Sequence, residues 1–331
     1  MRPVILGAIG AGRIGKLHAE NILRMPEVRL KIITDPFMDD GWARSWGLST
    51  APDPAAVFSD DEIEAVLIFS PSPLHAEQII AAARAGKHIF CEKPIALDPG
   101  QIRRALKVVA GEGVKLQVGF NRRFDPDFRR VKQAVASGEI GQLYLIKITA
   151  RDPAPPSTEY VRESGGMFLD MTVHDFDMVR YLSGSEVEEV YAAGTVLVDP
   201  AIGEAGDIDT AITTLRLKNG ALAVIDNSRQ AVYGYDQRIE AFGSKGSITA
   251  GNRTPTQTIL TTTDGVVADK PLVFFLERYQ ESFRAEIEEF IRAVREDRET
   301  PVTGQDGLAS TLIGIAANES LKKGEPVRIA E

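Results

Sequence analysis

The near-continuous apolar run Val4–Ile9 passes without a spacer into Gly10-Ala11-Gly12-Arg13-Ile14-Gly15. Apolar residues at both parities mark a strand buried on both faces, the condition of a parallel sheet covered by helices. Ile14, Leu17, His18, Asn21 and Ile22 follow at helical spacing. A GxGxxG turn between such a strand and such a helix is the opening of a dinucleotide-binding βαβ unit. The first glycine permits the tight turn. The second lets a pyrophosphate approach backbone N–H groups, and the third lets the helix pack on the strand. The helix N-terminus offsets phosphate charge. Glycine-rich turns are common as purely structural devices, so it is the placement that gives this one its meaning.

The second strand, Val28–Thr34, ends at Asp35, 20 residues after Gly15. A carboxylate there accepts hydrogen bonds from the adenosine ribose hydroxyls and repels a 2′-phosphate. No arginine occurs in Pro36-Phe37-Met38 to accommodate one, so the pattern favours NAD over NADP. Capping of the next turn is the plainer alternative for Asp35. Buried strands Ala65–Phe69, His88–Cys91 and Leu116–Phe120 alternate with helical patterns at His75–Ala85 and from Asp98-Pro99 towards Ala110. This alternation predicts a doubly wound parallel sheet over residues 1–120. Arg13 and Ile14 of the turn, with Ser70, His75, Glu92 and Lys93 from later segments, complete the candidate NAD contacts, although His75 by itself reads simply as a helix-start residue.

Beyond Phe120 the pattern changes. Asp125-Pro126 caps a helix, Tyr144–Thr149 is a strand, and Gly165-Gly166 precede a helix reaching Leu182. Glu189–Thr263 is mostly strands, with Asn219-Gly220 a hairpin signal between Ala211–Leu217 and Ala221–Asp226. Helices at Leu276–Arg295 and Asp306–Lys322 close the chain and are able to pack back on the first domain. Residues 121–331 thus read as an α+β domain with a mostly antiparallel sheet and helices on one face.

Composition narrows the partners. With 38 Lys+Arg against 47 Asp+Glu the net charge is −9, and no basic run is present, which argues against nucleic acid and anionic membrane. No stretch approaches the ~18 apolar residues of a membrane helix. The glycine-broken run after Met-Arg-Pro reads as a strand and not as a secretory leader. The single cysteine, Cys91, forms no intrachain disulfide, and no Cys/His cluster has zinc spacing; the expected location is cytoplasmic and no metal is expected.

Two further constellations carry chemistry. Glu92-Lys93-Pro94 ends a parallel strand, at the sheet edge where ligands sit in open α/β folds. An ammonium there can hydrogen-bond a substrate hydroxyl and stabilise developing negative charge; an ordinary surface lysine is the alternative. Asp170, His174 and Asp177 have i, i+4, i+7 spacing on a helix otherwise rich in Met and Phe. An imidazole is the natural acceptor for a hydroxyl proton near neutrality, and a carboxylate one turn away orients it. A satisfied half-buried histidine, or a metal-binding pair lacking a third ligand, remains open. Arg122-Arg123 could clamp a polyol or be a solvated pair. Tyr233 and Tyr235 could reach a sugar-like ligand or pack at a sheet edge.

Together, GxGxxG, Glu92-Lys93-Pro94 and the DxxxH at Asp170–His174 resemble the glucose-fructose oxidoreductase/inositol dehydrogenase family over essentially the whole chain. Gln117–Pro126, Arg151-Asp152-Pro153, Val198–Asp207 and Tyr233–Arg238 look most like the bacterial inositol 2-dehydrogenases within it. The resemblance implies a Rossmann domain holding NAD, a second domain whose large open sheet forms a homotetramer, and a polyol substrate in the cleft. It implies catalytic roles for Lys93, Asp170 and His174, substrate contacts at Arg122, Asp177, Tyr233 and Tyr235, and a cis peptide at Lys93-Pro94. The implied reaction is NAD-dependent oxidation of myo-inositol to 2-keto-myo-inositol. Scyllo-inositol, glucose or a related pyranose are the neighbouring alternatives, and a non-catalytic dinucleotide-sensing regulator is the alternative of another class. Several inositol dehydrogenases have a histidine just before the arginine matching Arg151; here that position is Ala150.

Overall fold

The structure is a computed structural model describing residues 2–329. The outermost residues of the two expected ranges (1, 330 and 331) lie outside it. The chain divides into two compact units: the residues up to Asn121 together with Phe283–Ala309, and Arg122–Ser282 together with the chain from Ser310 on.

In the first unit, strands β1 (Val4–Ile9), β2 (Val28–Thr34), β3 (Thr50–Ala51), β4 (Ala65–Ile68), β5 (His88–Glu92) and β6 (Leu116–Gly119) form one sheet in the order β3-β2-β1-β4-β5-β6. Every neighbouring pair is parallel. This is the doubly wound order whose direction reverses between β1 and β4, so the loops after those strands flank the crevice in which ligands bind. Val66, Leu67 and Ile68 are wholly buried, as helices on both faces require. The two-residue edge strand β3 is too short to leave a sequence signal. Ile287, Phe290 and Ile291, from the late helix Gln280–Arg295, join Leu6, Ile22, Leu30 and Phe90 in this unit's core. Asp98 caps the helix Pro99–Glu112 by accepting from the Gln101 N–H, which stabilises it by about 1 kcal/mol.

The second unit is built on a sheet of β7 (Leu143–Arg151), β8 (Val187–Thr195), β9 (Thr210–Leu217), β10 (Leu222–Ser228), β11 (Asp236–Gly243) and β12 (Gly246–Ala250). A hairpin, β13 (Ile259–Thr262) with β14 (Gly265–Ala268), stands apart, and β15 (Val327–Arg328) closes the sheet, whose order is β12-β11-β7-β10-β9-β8-β15. Only β7 and β10 run parallel; the other pairs are antiparallel. The β9–β10 hairpin turns at Asn219-Gly220, where Gly220 has φ +88°. The helices Pro126–Ala136 and Val173–Ser183 pack on one face, against Ile146, Ile148, Ile239 and Ala241. The opposite face exposes Tyr191, Ile212, Leu222 and Phe242.

Two helices expected to be continuous are interrupted. The one predicted from Gly165-Gly166 to Leu182 is a π-helical turn, Met167–Met171, followed at Thr172 by the α-helix Val173–Ser183. Thr172 donates its hydroxyl to Asn227 Oδ1 of β10 at 2.8 Å, a bond to the sheet that pins the junction. The one predicted at Leu276–Arg295 breaks at Tyr279, whose φ of −113° is not helical. Tyr279 is buried against Phe128 and Tyr235, and packing of this ring overrides helical propensity. Among the described residues, no helix is long and apolar enough to cross a membrane.

Candidate functional site

The turn after β1 is shaped by its glycines in two different ways. At Gly10, with φ +99°, a Cβ would stand 2.6 Å from the Phe69 carbonyl carbon. At Gly15 a Cβ would stand 2.1 Å from the Gly10 carbonyl oxygen. Strand-to-helix packing therefore demands both. At Gly12 a Cβ would meet nothing within 4 Å. The space beside Gly12 opens at the N-terminus of the helix Arg13–Ile22, which has no side-chain cap and no acidic residue in its first turn. A helix N-terminus without a side-chain cap, beside open space at Gly12, fits a pyrophosphate.

Asp35 frames the same loop. Its Oδ2 accepts from the Ala11 N–H and its Oδ1 from the Phe37 N–H, each at 2.7 Å. The carboxylate thus holds the glycine turn in place while staying partly exposed, with lone pairs left for ribose hydroxyls. The two backbone bonds match the plainer capping alternative for this residue.

At the carboxyl ends of β4 and β5 the other candidates form one assembly. The Lys93-Pro94 peptide is cis. Glu92 Oε2 accepts from the Lys93 N–H at 3.3 Å. His75, expected near the cofactor, is buried, and its two ring nitrogens face the carbonyls of Pro94 at 2.8 Å and Ser70 at 2.7 Å. Burial pushes its pKa down. The neutral ring donates to one of these carbonyls and packs against the other, between the loops that carry Ser70 and Pro94. Ser70 in turn donates its hydroxyl to Gln78 Oε1.

In the second unit the π-turn adds a residue between Met167 and Thr172, so Asp170 and Asp177 do not continue one α-helical stripe. Each acidic residue has its own partner. Asp170 accepts from the Tyr160 hydroxyl at 2.8 Å and from Arg229 Nη1 at 3.4 Å. Asp175 accepts from Arg122 at 2.5 Å and from Asn227 Nδ2 at 2.9 Å. Asp177 is held bidentately by Arg123 at 2.8 and 2.6 Å. Arg122 and Asp177, expected at substrate, thus stand in buried ion pairs that clasp the Asn121–Phe124 turn to the helix Val173–Ser183. His174 is partly exposed on the first turn of that helix.

Tyr233 donates to Asp236 Oδ2 at 2.5 Å and accepts from Arg151 at 3.0 Å; Arg151 also pairs with Asp226. Tyr235 is buried edge-on to Tyr279, the packing role left open by the sequence.

Sequence reasoning missed the surroundings of Asp170. Arg229 is 2% exposed and faces three carboxylates: Asp170 at 3.4 Å, Asp152 at 3.5 Å and Asp207 at 4.0 Å. Burial, opposed by Arg229 and reinforced by Asp170, pushes Asp152 up to about 6. Burial also raises the Tyr160 hydroxyl, which keeps it a donor to Asp170. These partners come from separate segments, so no local spacing announces them.

Residues 5–120 match the oxidoreductase family with the NAD-binding Rossmann fold, and residues 128–249 match the GFO/IDH/MocA C-terminal domain. The chain belongs to the GFO/IDH/MocA family. An uncharacterized oxidoreductase of Bacillus subtilis is 52% identical, with 99% of this chain and 97% of that protein covered. A myo-inositol 2-dehydrogenase of Thermotoga maritima is 48% identical, with 98% of each chain covered. Among solved structures, scyllo-inositol dehydrogenase from Lactobacillus casei with bound NAD(H) and scyllo-inositol superposes with a TM-score of 0.93 at 32% identity, covering all of each chain. This member of the GFO/IDH/MocA family is an NAD-dependent oxidoreductase acting on a CH–OH group. Gly10, Gly12, Gly15, the helix start at Arg13-Ile14 and Asp35 are the residues that would hold NAD.

Proposed function

We propose that this chain oxidises myo-inositol at the carbon bearing its axial hydroxyl, giving 2-keto-myo-inositol, NADH and a proton. The observation that carries the reading is the open phosphate cradle at Gly12 in a chain 48% identical, along nearly its whole length, to a myo-inositol 2-dehydrogenase. NAD, when bound, supplies the hydride acceptor. His174 takes the hydroxyl proton as general base. Asp170, whose carboxylate is fixed by Tyr160 and Arg229, orients the imidazole. Lys93 hydrogen-bonds the reacting oxygen and stabilises its alkoxide character. The acidic charge and the single buried cysteine support a cytoplasmic location, and the exposed apolar face of the second sheet supports a homotetramer.

A panel of polyols and pyranoses, assayed with NAD by NADH absorbance, tests the reading. Myo-inositol is expected to give the highest kcat/KM. Scyllo-inositol is the second reading, supported by the 0.93 TM-score to a scyllo-inositol dehydrogenase at 32% identity, and a higher kcat/KM for that isomer would replace the first. No turnover of any polyol would overturn the assignment.

A further inference from the structure

Beneath Lys93, three ionisable side chains from three elements of the first unit converge. His18, on the helix Arg13–Ile22, is fully buried. Its ring stacks on Phe69 with centroids 4.5 Å apart and meets Phe90 and Phe283 edge-on. Its Nε2 lies 3.0 Å from Glu92 Oε1 at the end of β5 and 3.7 Å from Glu286 Oε1 on the helix Gln280–Arg295. A carboxylate only accepts, so Nε2 is the donor, and its hydrogen goes to the nearer Glu92.

That leaves Glu286 unprovided for. Its side chain is 0% exposed, and neither carboxyl oxygen has a hydrogen-bond partner. The groups facing it are His18 from the first helix, Glu92 from β5 and the neutral Gln117 of β6, whose amide donates to the Glu286 main-chain carbonyl at 2.8 Å. Among the described residues no lysine or arginine pairs with it. A buried carboxylate without donor or cation, beside a second carboxylate, is the arrangement that drives an acid to its neutral form. Burial first and Glu92 second hold this carboxyl well above the usual range. The far side of Glu92 closes the chain of contacts: its Oε2 accepts from the Lys93 N–H, and a Cβ at Gly119 would come within 3.0 Å of that oxygen.

We propose that Glu286 is a positioning residue: it carries a proton at neutral pH, supplies the buried cluster with its missing donor and, with His18, fixes Glu92 as the support of the Lys93 main chain. The link to Lys93 rests on the dehydrogenase reading above; the proton on Glu286 does not.

Two variants of the full-length protein separate these parts. Glu286→Gln has the shape and donor of the protonated acid. A folded-state pKa above the unfolded value makes wild-type stability fall as pH rises through that interval. The Tm advantage of Glu286→Gln over wild type should therefore grow between about pH 5 and pH 9. A protonated-carboxyl C=O band, shifted in D2O, should be present in the wild-type infrared spectrum and absent from this variant. Glu286→Leu keeps the volume but offers no donor. It should fold with Tm at or above wild type while kcat for myo-inositol falls about tenfold, and Glu286→Gln should restore it.

A Glu286→Gln variant less stable than wild type across the range, or a wild-type spectrum lacking the band, overturns the proton. So does a Zn2+-induced rise in wild-type Tm that Glu286→Gln abolishes, because a cation would then occupy the proton's place. Wild-type kcat in Glu286→Leu overturns the positioning role. A wild type that oxidises no polyol refutes the functional reading instead, and the Tm and infrared measurements still decide whether Glu286 is protonated.

Discussion

Gly12 and Gly15 lie three residues apart, yet a side chain on each should fail in a different way. At Gly12 the φ of −68° and the empty surroundings admit a β-branched residue. Gly12→Val should fold with a Tm within a few degrees of wild type and lose about 100-fold or more in NAD affinity, because the methyls fill the pyrophosphate's space. Gly15→Ala, driven into the Gly10 carbonyl, should lose stability first. Calorimetry for Tm and titration with NAD separate the two. Lys93→Ala and His174→Ala belong to the other class: turnover should fall by about 10²–10⁴ with NAD affinity within a few-fold of wild type, and a nearly wild-type rate removes that residue from the mechanism. Asp152 gives a pH signature. Its folded value of about 6 exceeds the unfolded 3.8, so its contribution to stability is full below the lower value and lost as pH rises through the higher. Relative to Asp152→Asn, wild type should therefore lose at most about 3 kcal/mol across that interval, an upper limit because a quarter of the side chain still meets solvent. A flat difference in denaturation midpoints between the two proteins would contradict the shift.

At the scale of elements, the Arg123–Asp177 pair ties the Asn121–Phe124 turn to the helix Val173–Ser183 in a buried setting. Asp177→Ala strands a guanidinium and should cost about 3–5 kcal/mol in chemical denaturation. Replacing both partners by apolar residues should recover much of this, since an apolar pair carries no desolvation penalty. These contacts also explain what the sequence let one read. Strands β1, β4, β5 and β6 were legible because burial on both faces leaves short, mostly apolar runs, β2 because apolar and charged residues alternate from Val28 to Ile32, and the caps at Asp98 and Asp125 because a side-chain acceptor must lie within three residues of its N–H. The helix breaks at Thr172 and Tyr279 were not, because each is imposed by a partner remote in sequence: Asn227 for the first, Phe128 and Tyr235 for the second. The same holds for the site. Gly10, Gly15, Asp35 and Asp170 announce themselves by local spacing. Arg229, Asp152 and Glu286 act through distant contacts, and His18, which reads as simple helix packing, gains its meaning only beside Glu92 and Glu286.

For the whole molecule, the uncovered face of the second sheet is the feature a single chain leaves unsatisfied. Tyr191, Ile212, Leu222 and Phe242 are 40–47% exposed, interleaved with the pairs Lys147–Glu240 and Arg216–Glu189. An apolar centre with charged neighbours is the composition of a subunit interface. If the proposed assembly uses this face, Ile212→Lys combined with Leu222→Lys should lower the light-scattering mass with unchanged far-UV circular dichroism; an unchanged mass would place any interface elsewhere. The division of the chain has a different consequence. Residues 283–309 bring Ile287, Phe290 and Ile291 to the core of the first unit, and Thr300 donates its hydroxyl to the Leu116 carbonyl. A ribosome that has made residue 121 must therefore elongate through the intervening stretch, on the order of ten seconds, before that core can close. During that interval the apolar surface awaiting Ile287, Phe290 and Ile291 stays uncovered, so slower translation prolongs its exposure to aggregation.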